Sequence, residues 1–176
     1  IHKQIVNRLT EPFQHIKVIV TATEWDNFFN LRLHKDAQPE MQELARCMKQ
    51  AMDESTPVEL EPRGWWHLPY VEFPGPRGKE ISLDKAVKCS VARCARVSYL
   101  NHDNTNPSIE DDIKLYDKLL EAGHMSPFEH QATPMDFAKD TYELTWEKGV
   151  THRDRKDNLW SANFRGWIMY RKLLDV

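Results

Sequence analysis

Residues 56–79 limit what this chain can build. They hold Pro57, Pro62, Pro69, Pro74 and Pro76, with Gly64, Gly75 and Gly78. A proline lacks a backbone donor, and a glycine costs backbone entropy inside a regular element. No helix or central strand runs through such a segment. It reads as a long connection, tied to the body by Trp65, Trp66 and Tyr70. The chain of 176 residues then divides into a helical segment at 1–55, the connection at 56–80 and a second segment at 81–176, together one structural domain.

Helical periodicity dominates the two flanks. Ile1 to Leu9 reads as the end of a helix that stops before Pro12. The β-branched run from Ile16 to Val20 fits a short strand or the entry to the next helix, whose start Thr23 would cap. Trp25, Phe28 and Phe29 follow at helical spacing, with Arg32 at the edge of their buried face. Asp36 is the expected cap of a further helix, with Pro39 in its first turn and a core stripe of Met41, Leu44, Ala45, Met48 and Met52. Beyond the connection, Asp84 is expected to cap a helix to about Tyr99, with Val87, Val91, Cys94 and Ala95 facing inward. Asn101 to Pro107 is a polar loop. Ser108 and Asp111 make a capping-box-like start, Ile113, Tyr116, Leu119 and Leu120 bury one side, and Gly123 ends the helix. Trp160 to Leu174 reads as a last amphipathic segment.

Composition excludes several classes. Hydrophobic residues at 40% and charged residues at 29% are an ordinary soluble, globular balance. A formal net charge of -3 gives no sign of nucleic-acid or membrane binding. No apolar run approaches the length of a membrane helix. Three cysteines without a CxxC pair speak against a disulfide framework or a zinc site, and a reducing, cytoplasmic setting is the default. The start at Ile1 is not a signal peptide, and the natural protein is expected to begin upstream of it.

Four short segments carry chemistry. Gly123-His124-Met125-Ser126-Pro127-Phe128-Glu129-His130 packs imidazole, hydroxyl and carboxylate into a proline-held turn, able to present His124 and Ser126 to a ligand. A helix C-cap followed by a turn with satisfied polar groups explains the same residues. Ala95-Arg96-Val97-Ser98-Tyr99 places Ser98 at a helix end, within reach of a phosphate or ribose; a surface arginine beside a capped helix is the alternative. Asn27 and Arg32 bracket an aromatic-rich turn, and Arg32 is either a planar donor fork for a uracil edge or phosphate, or half of a surface ion pair. Asn163 and Arg165, in Trp160-Ser161-Ala162-Asn163-Phe164-Arg165-Gly166-Trp167, repeat those ingredients and either line the same pocket or pack a terminal helix.

Taken together, Ala-Arg-Val-Ser-Tyr at 95–99, Gly-His-Met-Ser-Pro-Phe-Glu-His at 123–130, and Asn-Leu-Arg at 30–32 with Ala-Gln-Pro-Glu at 37–40 resemble the flavin-dependent thymidylate synthases. The resemblance implies a helix-rich α/β (α+β) fold, incomplete in this chain, and a homotetramer with active sites shared between subunits. It implies FAD reduced by NADPH, methylenetetrahydrofolate as one-carbon donor, and dUMP methylated to dTMP. It places Asn27, Arg32, Ser98, His124, Ser126, Glu129 and Asn163 at the flavin, and Arg8, Arg32 and Arg165 at the nucleotide, with Arg32 and His124 the groups nearest the chemistry.

The family's Arg-His-Arg signature is absent, and Thr151-His152-Arg153 does not supply it. The block order is also inverted: Asn-Leu-Arg precedes Ser-Pro-Phe-Glu-His here and follows it in the usual arrangement. The order resembles a phage-like, permuted variant, with the signature expected upstream. The resemblance further implies that the 123–130 turn and Arg32 border one cavity. Other readings stay open: a related one-carbon transferase acting on another pyrimidine nucleotide, a non-catalytic subunit that needs a partner segment, or a methylase using Cys94 as nucleophile, although a thiol on an apolar stripe is usually inert.

Overall fold

A computed structural model of the chain describes residues 2–10, 13, 15–62, 64–72, 81–97, 107–136 and 146–174. It combines α-helices with two small antiparallel sheets. The helices are α1 (Lys3–Thr10), α2 (Asp26–Arg32), α3 (Pro39–Glu54), α4 (Leu83–Ala95) and α5 (Ile109–Glu121). The strands are β1 (Ala132–Pro134), β2 (His152–Arg153), β3 (Leu159–Ser161), β4 (Phe164–Arg165) and β5 (Trp167–Met169), followed by a 3-10 turn at Tyr170–Leu173.

The core is built on α4 and α5. Ala86, Val87, Cys89, Ser90, Val91, Ala92 and Cys94 of α4 are all buried. Its cap is Ser82, whose hydroxyl accepts from the Lys85 amide, and Asp84 lies inside the first turn instead, near the positive helix end. The helix closes at Ala95 with Arg96 as its C-cap; Tyr99, Ser98 and the loop at 101–106 lie outside the described residues. The α5 start is as the sequence indicates: Ser108 Oγ accepts from the Asp111 amide at 3.1 Å. Its end is a Schellman turn, in which the Gly123 amide donates to Leu120 and the His124 amide to Leu119. Gly123 adopts φ +69 there, a left-handed conformation that a Cβ would strain.

A buried ion cluster joins the two helices. Asp112 is fully buried, and its carboxylate accepts from Arg93 Nε at 2.9 Å and from Arg96 Nη1. Arg93 also donates to the Tyr70 carbonyl, and Ser90 Oγ to the Pro69 carbonyl, which ties the connection to α4. Trp66 stands edge-on to Tyr170, so the connection is held down on both sides.

The last segment, read as amphipathic with a terminal helix as one alternative, is built of short strands. Residues 159–169 fold back as β3, β4 and β5, because the turn at Ala162–Asn163 (Ala162 φ +53) reverses the chain and Gly166 at φ +73 reverses it again. β5 pairs with β1 in the register Ala132↔Met169, Thr133↔Ile168 and Pro134↔Trp167, and β3 lies between β2 and β4. Ser161 Oγ stitches the sheets together, donating to the Gly149 carbonyl and accepting from the Met169 amide. Gly149 is required: a Cβ there would lie 2.5 Å from Ile168 Cγ2.

Four further expectations change in the first half. α2 begins at Asp26 behind Trp25 with no side-chain cap, so Thr23 does not cap it. α3 is preceded by Gln38, not capped by Asp36, although Pro39 does occupy its first turn. Residues 15–20 form neither strand nor helix. The α3 stripe is also not core within one chain: Ala45 is buried, but Leu44 is 51% and Met52 43% exposed. Among the described elements α3 packs substantially on α2 alone, and its stripe stays exposed. No helix among the described residues is long and apolar enough to cross a membrane.

Candidate functional site

Residues 15–25 run as a strap over the body, and two clefts open along it, one lined by residues 17–19 and the other by residues 20–25. The first, the turn cleft, has a volume of about 270 Å³. Lys17 and Ile19 form its strap side, Ala95 and Val97 its helix-end side, and Ser126 and His130 its floor. Residues 95–97 and the Ser-Pro-Phe-Glu-His turn therefore meet at one place. Their meeting has an identifiable cause. Phe128 is fully buried and rests on Tyr116 at 5.2 Å and on Tyr170 at 6.3 Å, nearly parallel to the latter. That anchor fixes the 3-10 turn Ser126–Glu129 against α4, while the Arg96 fork on Asp112 fixes the α4 end. Arg96 is thereby a structural arginine.

The second, the strap cleft, has a volume of about 430 Å³. Trp25, Phe164 and Trp167 give it aromatic walls, and Glu24, Arg165 and His67 its polar rim. Arg165 Nε pairs with Glu24 Oε1 at 2.7 Å, and the Arg165 amide donates to Thr23 Oγ1. A hydrogen bond between Thr21 Oγ1 and His130 Nδ1 at 3.1 Å fastens the strap between the two clefts.

The remaining sequence-derived residues are placed as follows. Ser126 lines the turn cleft. Glu129 is engaged by Arg171 in a half-exposed ion pair, which fixes it beside the cleft and commits part of its acceptor capacity. His124 is exposed, its backbone spent on the helix end. Asn27 and Arg32 are exposed on α2, Arg32 in the last turn where a cation suits the negative helix end. Arg32 lines neither cleft, so the cavity expected between it and the 123–130 turn is not formed by either one. Trp25, Phe28 and Phe29 pack ring to ring beside it, at centroid separations of 5.4–6.1 Å. Arg165 joins the strap cleft, Asn163 is exposed in the β3–β4 turn, and Arg8 is exposed on α1. Lys17, Thr21, Glu24 and His67 escaped the sequence reading. The Thr21-Ala22-Thr23-Glu24 run before α2 was the available signal for Thr21 and Glu24; no local pattern marked Lys17 or His67.

Two histidines and a thiol that line the clefts have altered acidity. Burial lowers the pKa of His130, with Glu129 opposing the shift and His67 adding to it. His67 keeps an open edge on the strap cleft, yet packing around its ring still lowers its pKa by desolvation. Burial pushes the Cys94 thiol up to about 12, against hydrogen bonds with Ser90 and Gln131 that lower it, so Cys94 is no nucleophile near neutral pH. Among the described residues no group of three or more His, Cys, Asp or Glu is placed to hold a metal.

The His130 shift makes a prediction. A histidine whose folded pKa is depressed binds fewer protons than the unfolded chain. Its contribution is complete above the unfolded pKa near 6.5, and stability is lost as pH falls from there toward the lower folded value. Unfolding free energy should therefore decline below about pH 6.5, by at most about 1.4 kcal/mol per pH unit for this one proton. His130→Gln should flatten that limb in urea titrations at several pH values. An unchanged slope would remove His130 as its source.

With the geometry established, similarity to known proteins can be stated. Residues 12–58 match the family described as thymidylate synthase complementing protein, the family that the sequence motifs resemble. That segment holds the strap, α2 and α3. That family is associated with thymidylate synthase activity. No curated protein and no solved structure matches the chain.

Proposed function

We propose that this protein is a flavin-dependent thymidylate synthase that methylates dUMP to dTMP, with methylenetetrahydrofolate as one-carbon donor and NADPH as reductant. One observation carries the reading: the family match at residues 12–58 includes the Asn27–Arg32 segment and the strap that walls both clefts.

FAD fits the turn cleft in part. The Ser126 hydroxyl, His130 and the backbone at Val97 suit the polar edge of a flavin ring, and Ile19 and Pro127 its faces. At about 270 Å³ the cleft takes a portion of the ring system and not the dinucleotide. The rest needs surface from another subunit. The uncovered apolar stripe of α3 and the solvent-open position of Arg32 support such an assembly, a homotetramer with shared sites.

A bound flavin supplies the hydride; the chain's own groups bind and orient. In this reading Arg32, with a fork that nothing buries in one chain, meets the uracil across a subunit boundary and stabilises the negative charge that grows there. Asn27, five residues earlier on α2, is assigned to the flavin in this reading, with Ser98, His124 and Asn163. Arg8 and Arg165 stand toward the nucleotide. We place the protein in the cytoplasm, of the host if it is phage-encoded.

The test uses the full-length gene product. Flavin absorbance in the purified protein, and dTMP formed from dUMP only with folate donor and reductant present, are the expected results. Absence of both flavin and turnover would defeat the reading. A product of another mass would move it to a related one-carbon transferase.

A further inference from the structure

The strap is fastened by side chains. Among the described residues, no backbone–backbone hydrogen bond joins residues 15–24 to any other segment. Ile16, Val18 and Val20 are largely exposed, so little apolar burial pins it down. A segment with an unpaired backbone and few buried contacts opens before the rest of a fold does. Its ties are Thr21 on His130, Thr23 on the Arg165 amide, and Glu24 on the Arg165 guanidinium. Both clefts use the strap as a wall, so its release opens both.

Of these ties, the one to His130 ends on a group whose ordinary pKa lies near neutrality. The half-buried ring shares its Nδ1 with the Thr21 hydroxyl. In neutral imidazole either atom can donate; in imidazolium only the ring can. The surroundings do little to welcome that charge. Glu129 attracts it but is engaged by Arg171. His67 opposes it, and Lys17 of the strap brings a further cation to the same cleft. The Cys94 thiol stays neutral, and Glu24 and Arg165 offset one another in the strap cleft. With the strap lifted, water reaches the ring and its pKa returns toward the ordinary 6.5. The open state therefore holds the proton more tightly than the closed one, and acid favours opening.

We propose that Thr21 and His130 form an acid-released latch: a proton on His130 frees residues 15–24 and opens both clefts. The latch governs access to the clefts and does not depend on which ligands occupy them.

Two cysteines of the chain report on it. Cys94 lines the turn cleft together with strap residues 17–19, and Cys89 is fully buried and lines neither cleft. The full-length gene product is treated with methyl methanethiosulfonate, and labelling at each site is followed by peptide mass spectrometry. Rates are divided by that of free cysteine in the same buffer, which removes the pH dependence of the thiol itself. From pH 7.5 to 5.5 the relative rate at Cys94 should rise several-fold, up to about tenfold for one proton, while Cys89 stays protected. His130→Gln should remove most of that rise. Thr21→Val, which lacks the hydroxyl, should raise Cys94 labelling several-fold already at pH 7.5. A flat profile in the wild type, a full rise in His130→Gln, no change in Thr21→Val, or Cys89 rising in step with Cys94 would each overturn the proposal. The readout needs neither flavin nor dTMP, so the latch and the proposed function fail separately.

Discussion

Replacing Asp112 by alanine should lower the unfolding free energy by about 3–5 kcal/mol, the cost of breaking a buried ion pair by removing one partner. Its carboxylate is fully buried and lies between Arg93 and Arg96. Without it, two guanidinium groups confront each other between α4 and α5 with no anion between them. Arg93 also holds the Tyr70 carbonyl and Arg96 the Asp111 carbonyl, so the connection and the α4 end would loosen together. Urea denaturation of wild type and variant would measure the difference. A loss below about 1 kcal/mol, the range of exposed pairs, would mean that water reaches this cluster. Arg93→Met with Asp112→Leu, which removes charge from both sides, should recover part of the loss, since a buried pair replaced by apolar groups is often neutral.

Arg32→Ala should do the opposite: little to stability and much to activity. The side chain is exposed at the end of α2, so its loss removes only a favourable helix-end charge, about 0.3–1 kcal/mol. If Arg32 grips the uracil in the assembled protein, dTMP formation should fall about 100- to 1,000-fold, as when a preorganised donor to a developing charge is lost. Arg32→Lys should restore little, because an ammonium lacks the planar two-donor edge. Turnover measured at matched thermal stability decides the question. A variant with wild-type kcat would leave Arg32 as a helix-end cation and nothing more.

Legibility from the sequence varied with how local each cause was. The α5 start and end could be read directly, because Ser108, Asp111 and Gly123 act within a few residues. The buried face of α4 followed from its periodicity, with Val87, Val91 and Cys94 inside. Its cap was misplaced by two residues because Ser82 and Asp84 are both competent and only backbone geometry chooses. The α3 stripe had a clear period, but a period says which residues share a face, not what covers it. The 159–174 segment failed for a different reason. Its strands are two or three residues long, too short for alternation to register, and its reversal rests on Ala162 at positive φ, where no glycine marks the turn. The turn cleft was half legible: motifs named Ser126 and the Ala95–Val97 end, while the strap residues opposite them depend on tertiary placement.

The return of residues 159–170 has a consequence for how the protein is made. Met169 pairs with Ala132, the Tyr170 amide donates to the Gln131 carbonyl, and the Tyr170 hydroxyl meets that of Tyr116 at 2.7 Å. A nascent chain thus cannot seal the interior around Phe128 until residue 170 has left the ribosome tunnel. Until then α4 and α5 present an open apolar seam, the natural place for a chaperone to hold.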